Sequence, residues 1–213
     1  GWQTVPFHNF SFAAQLIDVS KFEDDFNDST NGTLINSATN QPSKVQYAKI
    51  VDPDYTGVNQ LYMDWTGIKN TRLRLGRQQA TLDNVRFVGD IGFRQVMQVF
   101  DGASVLNKSI PDTEAYLAHF ESVHQITTVK RNEGALDVVN LKYRISPSES
   151  LVGYGYLSSF DDLGLGRAWF GGGTTATAIA EHKGGVANET ANQSNQVFGL
   201  RLDGVRKLND DWK

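Results

Sequence analysis

The chain has 213 residues, of which 39% are hydrophobic and 21% are charged. This composition excludes a disordered protein, and it excludes a helical membrane protein because no apolar run approaches the roughly 18 residues that a transmembrane helix needs. The formal net charge of -4 argues against a nucleic-acid partner, since such proteins usually carry a basic excess. The chain contains no cysteine, which excludes disulfides and thiolate metal sites.

The residue types favour strands joined by turns. Aromatic residues make up 11% of the chain, and it contains 20 glycines but only 2 methionines. This mix is more typical of β-structure than of helices. Barrel strands that cross a membrane are about 9–11 residues long and alternate in polarity, so a hydropathy scan does not detect them. Composition therefore leaves both a membrane barrel and a water-soluble β-protein open.

Alternation of apolar and polar residues predicts about eight strands. In the first of them, Phe10, Phe12 and Leu16 share one face, whereas Ser11 and Gln15 share the other. Most later segments separate large apolar side chains from charged and amide side chains in the same way. In chain order, the predicted strands are residues 8–19, 58–65, 71–75, 96–105, 113–122, 137–145, 151–160 and 196–206.

The strand predicted at residues 96–105 has an ambiguous orientation. A carboxylate is expected to avoid an apolar environment, so Asp101 predicts that its own face points inward. Phe100 is then predicted to point outward. The residues that share the face of Asp101 are Val99, Ala103 and Val105.

Long and short connections alternate along the chain. The long ones are residues 20–57, 81–94, 123–135 and 161–195, and short turns separate the other strands. This arrangement predicts an up-and-down antiparallel meander with all long loops at one end, which a Greek-key sandwich would not normally show. The sorted loops and the charged strand faces favour a transmembrane β-barrel. The alternative is a soluble β-sandwich that binds carbohydrate, in which Leu61, Met63 and Trp65 are buried against a second sheet.

Basic side chains lie on the polar faces of several predicted strands. In a water-filled pore they would raise the local concentration of anions, because a narrow channel focuses electrostatic potential. Acidic residues on similar faces, such as Asp203, could instead neutralise them, so the sequence leaves both interpretations open. The predicted pore-lining residues are Gln60, Asp64, Arg72, Arg74, Lys142, Arg144 and Arg201.

Other motifs do not indicate a cofactor, a metal or a catalytic centre. The oxygen-rich run at residues 25–32 resembles a calcium loop, but its glycine is misplaced for an EF-hand and the terminal glutamate is missing. The 4 histidines are scattered without metal-ligand spacing. No carboxylate has a partner positioned opposite it for acid–base catalysis. The sequence therefore predicts a protein that is not an enzyme.

Four runs in the middle of the chain, residues 75–78, 82–89, 92–95 and 100–101, together resemble the bacterial outer-membrane porins of the alginate-export family. Weaker matches extend the resemblance from about residue 10 to residue 204. The resemblance implies a passive outer-membrane channel within a closed antiparallel barrel of roughly 16–18 strands. Its implied surroundings are outer-membrane lipid and lipopolysaccharide. We assign Arg86, Arg94 and Asp101 to a connection folded into the pore, as its anchors or as a constriction.

About eight strands are too few for a barrel of that size, and lipid does not tolerate open sheet edges. Residues 1–213 are therefore expected to form a single β-barrel domain that is an internal portion of a longer barrel. The long connections, which usually set substrate choice, depart from the family. The expected solute is small and hydrophilic, either anionic or a saccharide, and the sequence does not indicate the oligomeric state.

Overall fold

The computed structural model describes residues 1–20, 22, 35–36, 41–42, 47, 54–124, 126, 130–131, 134–159 and 194–204. All regular secondary structure within these residues is β-strand. The strands are β1 (Trp2–Gln3), β2 (Phe10–Val19), β3 (Ile35–Asn36), β4 (Gln41–Pro42), β5 (Tyr55–Trp65), β6 (Thr71–Gln78), β7 (Val99–Asn107), β8 (Thr113–His124), β9 (Lys130–Arg131), β10 (Ala135–Ser146), β11 (Glu149–Ser159) and β12 (Asn195–Gly204). In this part of the chain no helix is long and apolar enough to span a membrane.

One large antiparallel sheet contains every long strand, in the order β1-β2-β5-β6-β7-β8-β10-β11-β12. Strand β9 pairs with β8 beside this path, and β3 and β4 form a separate small ladder. Every long strand therefore lies beside its neighbour along the chain, which confirms the predicted all-β antiparallel meander. Short turns at residues 66–70, 108–112 and 147–148 lie at one end of the sheet, and the connection at residues 79–98 lies at the other.

The strand register defines two faces. Asp64 lies opposite Arg74, and Arg74 lies opposite Ser104 on the next strand. We call this the covered face, because residues 79–98 fold onto it. Leu73 and Leu75 point the other way and belong to what we call the exposed face. Because side chains alternate along a strand, these pairings assign a face to the residues of every long strand.

The predicted orientation of residues 99–105 was wrong. Phe100 lies opposite Gln78 on the covered face, whereas Asp101 lies opposite Arg77 on the exposed face. Val99, Ala103 and Val105 share the exposed face with Asp101. The physical reason is that Arg77 neutralises the carboxylate, which allows it to lie beside apolar neighbours, while the ring of Phe100 packs in the core.

The core lies between the covered face and the connection at residues 79–98. Phe100 and Phe120 are almost fully buried, and their ring centroids are 4.9 Å apart. Val88, from the middle of the connection, is 3% exposed and packs in the same cluster. Burial of side chains of this size contributes roughly 1.5–3 kcal/mol each. The apolar cluster therefore holds the connection onto the sheet.

Two glycines opposite one another, Gly76 and Gly102, allow close approach of the four strands β5 to β8. Gly76 has a φ of 119°, and a Cβ atom there would lie 2.4 Å from the carbonyl oxygen of Leu61. At Gly102, φ is 157° and a Cβ would lie 2.2 Å from the carbonyl oxygen of His119. No side chain fits at either position, so glycine is required for the strands to pair here.

Candidate functional site

The residues predicted to line a pore share one face of the sheet. The register brings Asp64 and Arg74 opposite one another, and alternation places the other members on the same side. The full set on the covered face is Gln60, Asp64, Arg72, Arg74, Lys142, Arg144 and Arg201. The structure thus assembles them on one surface, but their individual environments differ.

Asp64 and Arg74 form a bidentate ion pair across β5 and β6. Arg74 donates from Nε to Asp64 Oδ1 at 2.7 Å and from Nη2 to Oδ2 at 2.8 Å. The side chains are 13% exposed for Arg74 and 7% for Asp64. The guanidinium also lies 3.6 Å from the ring centroid of Tyr62. Arg74 is therefore held in place by the sheet rather than presented to a solute.

Amide side chains form a cluster near the long-connection end of the covered face. Gln60 donates to Gln15 Oε1 at 2.7 Å and to Gln79 Oε1 at 3.2 Å. Asn59, at a bulge in the β2–β5 pairing, donates to the same oxygen of Gln15 at 2.9 Å. These bonds link the start of the 79–98 connection to the sheet and keep polar groups on this face.

The charges of Arg144 and Arg201 are also compensated. Arg144 forms an ion pair with Asp112, which lies in the short turn before β8. Arg201 bonds to Asp203 on its own strand at 2.5 Å and to Asp83 at 3.2 Å. Neither arginine is available as an uncompensated cation.

Arg72 and Lys142 are different. Within the described residues, neither has a carboxylate at ion-pairing distance. Lys142 is exposed and Arg72 is half-buried. These two cations of the predicted set therefore form no ion pair among the described residues, although Lys142 lies opposite Glu114 in the strand register. The sequence alone did not distinguish them from the paired arginines.

Asp83, which the sequence prediction missed, anchors the folded connection. Its Oδ2 accepts bonds from Asn140 Nδ2 at 2.7 Å and from the Tyr156 hydroxyl at 3.1 Å. Its Oδ1 pairs with Arg201. A single carboxylate thus contacts three neighbouring strands. The available signal was an acidic residue in a connection whose sheet face carries several arginines.

Aromatic rings surround this anchor. Phe87 lies 5.7 Å from Tyr154 and 6.0 Å from Tyr156, measured between ring centroids. Tyr154 and Tyr156 stack at 5.2 Å with an interplanar angle of 16°. Phe87 is 52% exposed, so one side of the aromatic group faces solvent next to the polar surface.

The residues assigned to anchoring or constriction do not come together. Arg86 and Arg94 lie in the folded connection, where the Arg94 guanidinium is 5.4 Å from the ring centroid of Phe93. Asp101 lies in β7 and points to the face of the sheet that the connection does not cover. Its carboxylate pairs with Arg77 Nε at 2.8 Å instead. Arg86 and Arg94 as constriction residues stay a prediction.

The cluster around Asp101 is not arranged as a catalytic triad. Ser122 donates to Asp101 Oδ2 at 2.9 Å, and His124 Nε2 contacts the same oxygen at 2.8 Å. A serine nucleophile needs a base that accepts the proton of its hydroxyl, whereas here the carboxylate lies between the serine and the histidine.

Among the described residues, no group of three or more His, Cys, Asp or Glu side chains could hold a metal ion.

The exposed face is predominantly apolar. Its side chains from central strands include Leu75 at 54% exposure and Leu141 at 48%, and Leu200 on β12 reaches 79%. Polar pairs appear on this face near the long-connection end, where His119 bonds to Asp137 at 2.7 Å. The apolar surface is thus bounded on one side by charged groups.

No protein-family model and no curated protein sequence matches the chain, so the resemblance to the alginate-export family is not confirmed. Among solved structures, it is similar to OccAB4 of Acinetobacter baumannii, with 14% identity over 70% of this chain and 40% of that chain and a TM-score of 0.43. OpdK of Pseudomonas aeruginosa, solved with vanillate, shows 10% identity over 70% and 40%, with a TM-score of 0.43. OccAB2 of Acinetobacter baumannii shows 16% identity over 71% and 41%, with a TM-score of 0.43.

These neighbours are outer-membrane porins. The chain spans about two fifths of the length of each, from 40% to 41%. At this identity and TM-score the likeness does not define a function.

Proposed function

We propose that this chain forms part of the wall of a bacterial outer-membrane channel through which small hydrophilic solutes diffuse passively. The exposed face contacts outer-membrane lipid and lipopolysaccharide, and the covered face lines the water-filled pore. No covalent chemistry is involved. The observation that carries this proposal is the opposite polarity of the two faces of one sheet.

The exposed face is the stronger half of this argument. Apolar side chains continue across it from Phe12, at 52% exposure, to Leu200, at 79%. Soluble monomers rarely expose contiguous apolar patches larger than a few hundred Å², because the hydrophobic effect drives such surfaces together. Lipid chains are the partner that accommodates an apolar face of this width without a second sheet.

The covered face is suited to water. It carries ion pairs such as Asp64–Arg74 and the amide cluster around Gln60, and the apolar part of this face is sealed by residues 79–98. In a pore, Arg72 and Lys142, which form no ion pair among the described residues, would attract small anions. We infer weak anion preference, with carboxylated or saccharide solutes as candidates.

The alternative, a soluble carbohydrate-binding sandwich, requires the exposed face to be buried. Leu61, which should then pack against a second sheet, is 57% exposed. The described part of the chain contains no second sheet beyond the two-residue ladder β3–β4. The channel is therefore the better supported function.

Planar-bilayer recording on the full-length protein tests the proposal. After extraction in detergent and addition to a lipid bilayer, the protein should produce discrete conductance steps. A salt gradient across the bilayer should give a reversal potential on the anion-selective side. If the protein instead stays monomeric and folded in water without detergent and produces no conductance, the channel hypothesis is refuted and the soluble β-sandwich is favoured.

A further inference from the structure

The connection at residues 79–98 lies against the covered face through two kinds of contact. Val88 packs in the apolar core, and this contact restricts the distance between the connection and the sheet. Apolar contacts are non-directional, so they do not determine the position of the connection along the sheet. A directional contact is needed for that purpose.

Asp83 provides such a contact. Its carboxylate is 10% exposed and accepts hydrogen bonds from Asn140 on β10 and Tyr156 on β11, and it pairs with Arg201 on β12. Bonds to an ionised group are shorter and stronger than neutral ones. Because the donors lie on three neighbouring strands, they fix the position of the Asp83 carboxylate both along the strands and across them.

The backbone of the connection is strained around this contact. Asp83 has a φ of 56°, and the β-branched residues Val85 and Ile91 have φ values of 55° and 53°. The left-handed region is disfavoured for β-branched residues, so such conformations persist only where surrounding contacts enforce them. Loss of the enforcing contact should therefore let the connection relax away from the sheet.

We infer that Asp83 is a latch: it holds residues 79–98 on the pore wall, and it shares the charge of Arg201 with Asp203. The inference rests on the proposed channel for its functional consequence. Release of the latch widens the lumen, while Arg201 keeps its ion pair with Asp203. The change Asp83→Asn also removes one negative charge from the pore wall. Asp83 is thus a positioning residue that sets both the conductance and the selectivity of the pore.

Thiol labelling measures the latch without any channel assay. Because residues 1–213 contain no cysteine, Val88→Cys introduces the one thiol of this stretch, at a position that is 3% exposed, and the protein without this change gives the background rate. In the folded full-length protein in detergent, this thiol should react slowly with a charged methanethiosulfonate reagent. Adding Asp83→Asn should accelerate the reaction about tenfold or more, since the lost bonds involve an ionised side chain that is only 10% exposed.

Asp112→Asn is the matched control. Asp112 also pairs with an arginine, Arg144, and its φ of 57° is nearly that of Asp83, but it lies in a short turn at the other end of the sheet. This change should leave labelling of the cysteine unaltered. Asp83→Glu, which keeps the carboxylate, should restore slow labelling at least in part.

Should Asp83→Asn prevent folding, Asn140→Ala removes one donor and is expected to accelerate labelling by a smaller factor. Equal labelling rates in the Asp83→Asn and Asp112→Asn backgrounds overturn the latch. In bilayers, Asp83→Asn should increase single-channel conductance and shift selectivity toward anions. Faster labelling in a protein that never conducts supports the latch and refutes the channel.

Discussion

Arg72 and Arg74 lie two residues apart on the same face of β6, yet they differ in electrostatic environment. Arg74 makes two bonds to Asp64, whereas Arg72 has no carboxylate at ion-pairing distance among the described residues. An ion pair presents little net field to a passing solute, while an unpaired guanidinium presents a full charge. The two arginines are therefore expected to respond differently to substitution.

Arg72→Glu should shift the selectivity of the pore toward cations. The change reverses the charge of a side chain on the proposed pore wall, and it breaks no hydrogen bond or ion pair to any described residue. The measurement is the reversal potential in a salt gradient, compared with wild type at the same ionic strength. The effect should weaken at high salt, because screening shortens the range of the field. An unchanged reversal potential would contradict the placement of Arg72 in the pore.

Arg74→Gln should act mainly on stability. It leaves Asp64, whose side chain is 7% exposed, without its cationic partner, at a cost of about 3 kcal/mol. The free energy of unfolding in urea, from detergent or lipid vesicles, measures this change. The double change Asp64→Asn with Arg74→Gln should recover a large part of the loss, because neither charge is then left alone.

Gly76→Ala should destabilise the sheet by about 2 kcal/mol or more, since the added Cβ would lie 2.4 Å from the Leu61 carbonyl oxygen. Gly153→Ala is the control. At that glycine the nearest atom to a new Cβ is Leu200 Cδ2 at 3.3 Å, the end of a flexible side chain. Urea unfolding should show a loss of less than about 1 kcal/mol for the control. Equal losses would contradict the close approach of backbones at Gly76.

Leu200→Arg tests the environment of the exposed face. If lipid covers this face, an arginine there should cost roughly 2–4 kcal/mol in vesicles, and the cost should fall toward the strand ends. Gln196→Arg, on the same face of β12 near its start, should then cost about 0–1 kcal/mol. If water covers the face, both substitutions should change stability by less than about 0.5 kcal/mol.

Much of the fold could be predicted because strand alternation has a period of two residues. All eight long strands occur where alternation predicted them, with ends that shift by up to about three residues. The same periodicity correctly placed seven candidate pore residues, from Gln60 to Arg201, on one face. The fourth long connection, predicted at residues 161–195, lies almost entirely outside the described residues.

The errors arose where neighbouring strands decide the outcome. Asp101 looked inward-facing by polarity, but Arg77 and Ser122 on adjacent strands accommodate it on the apolar face. Asp83 was not recognised as an anchor, because its partners are 57 and 73 residues away along the chain. Local patterning contains no information about such pairs.

The sequence by itself determined the strand pattern and the separation of polar from apolar faces, because both depend on side chains a few residues apart. Only the tertiary structure decided which charges are neutralised: Arg74 by Asp64, Arg201 by Asp83 and Asp203, and Arg72 by no described carboxylate. Electrostatic compensation depends on distances of a few ångströms between side chains, most of them on different strands. Those distances are defined by the strand register and by the folded connection. The residue composition of a face therefore does not reveal which of its charges are neutralised.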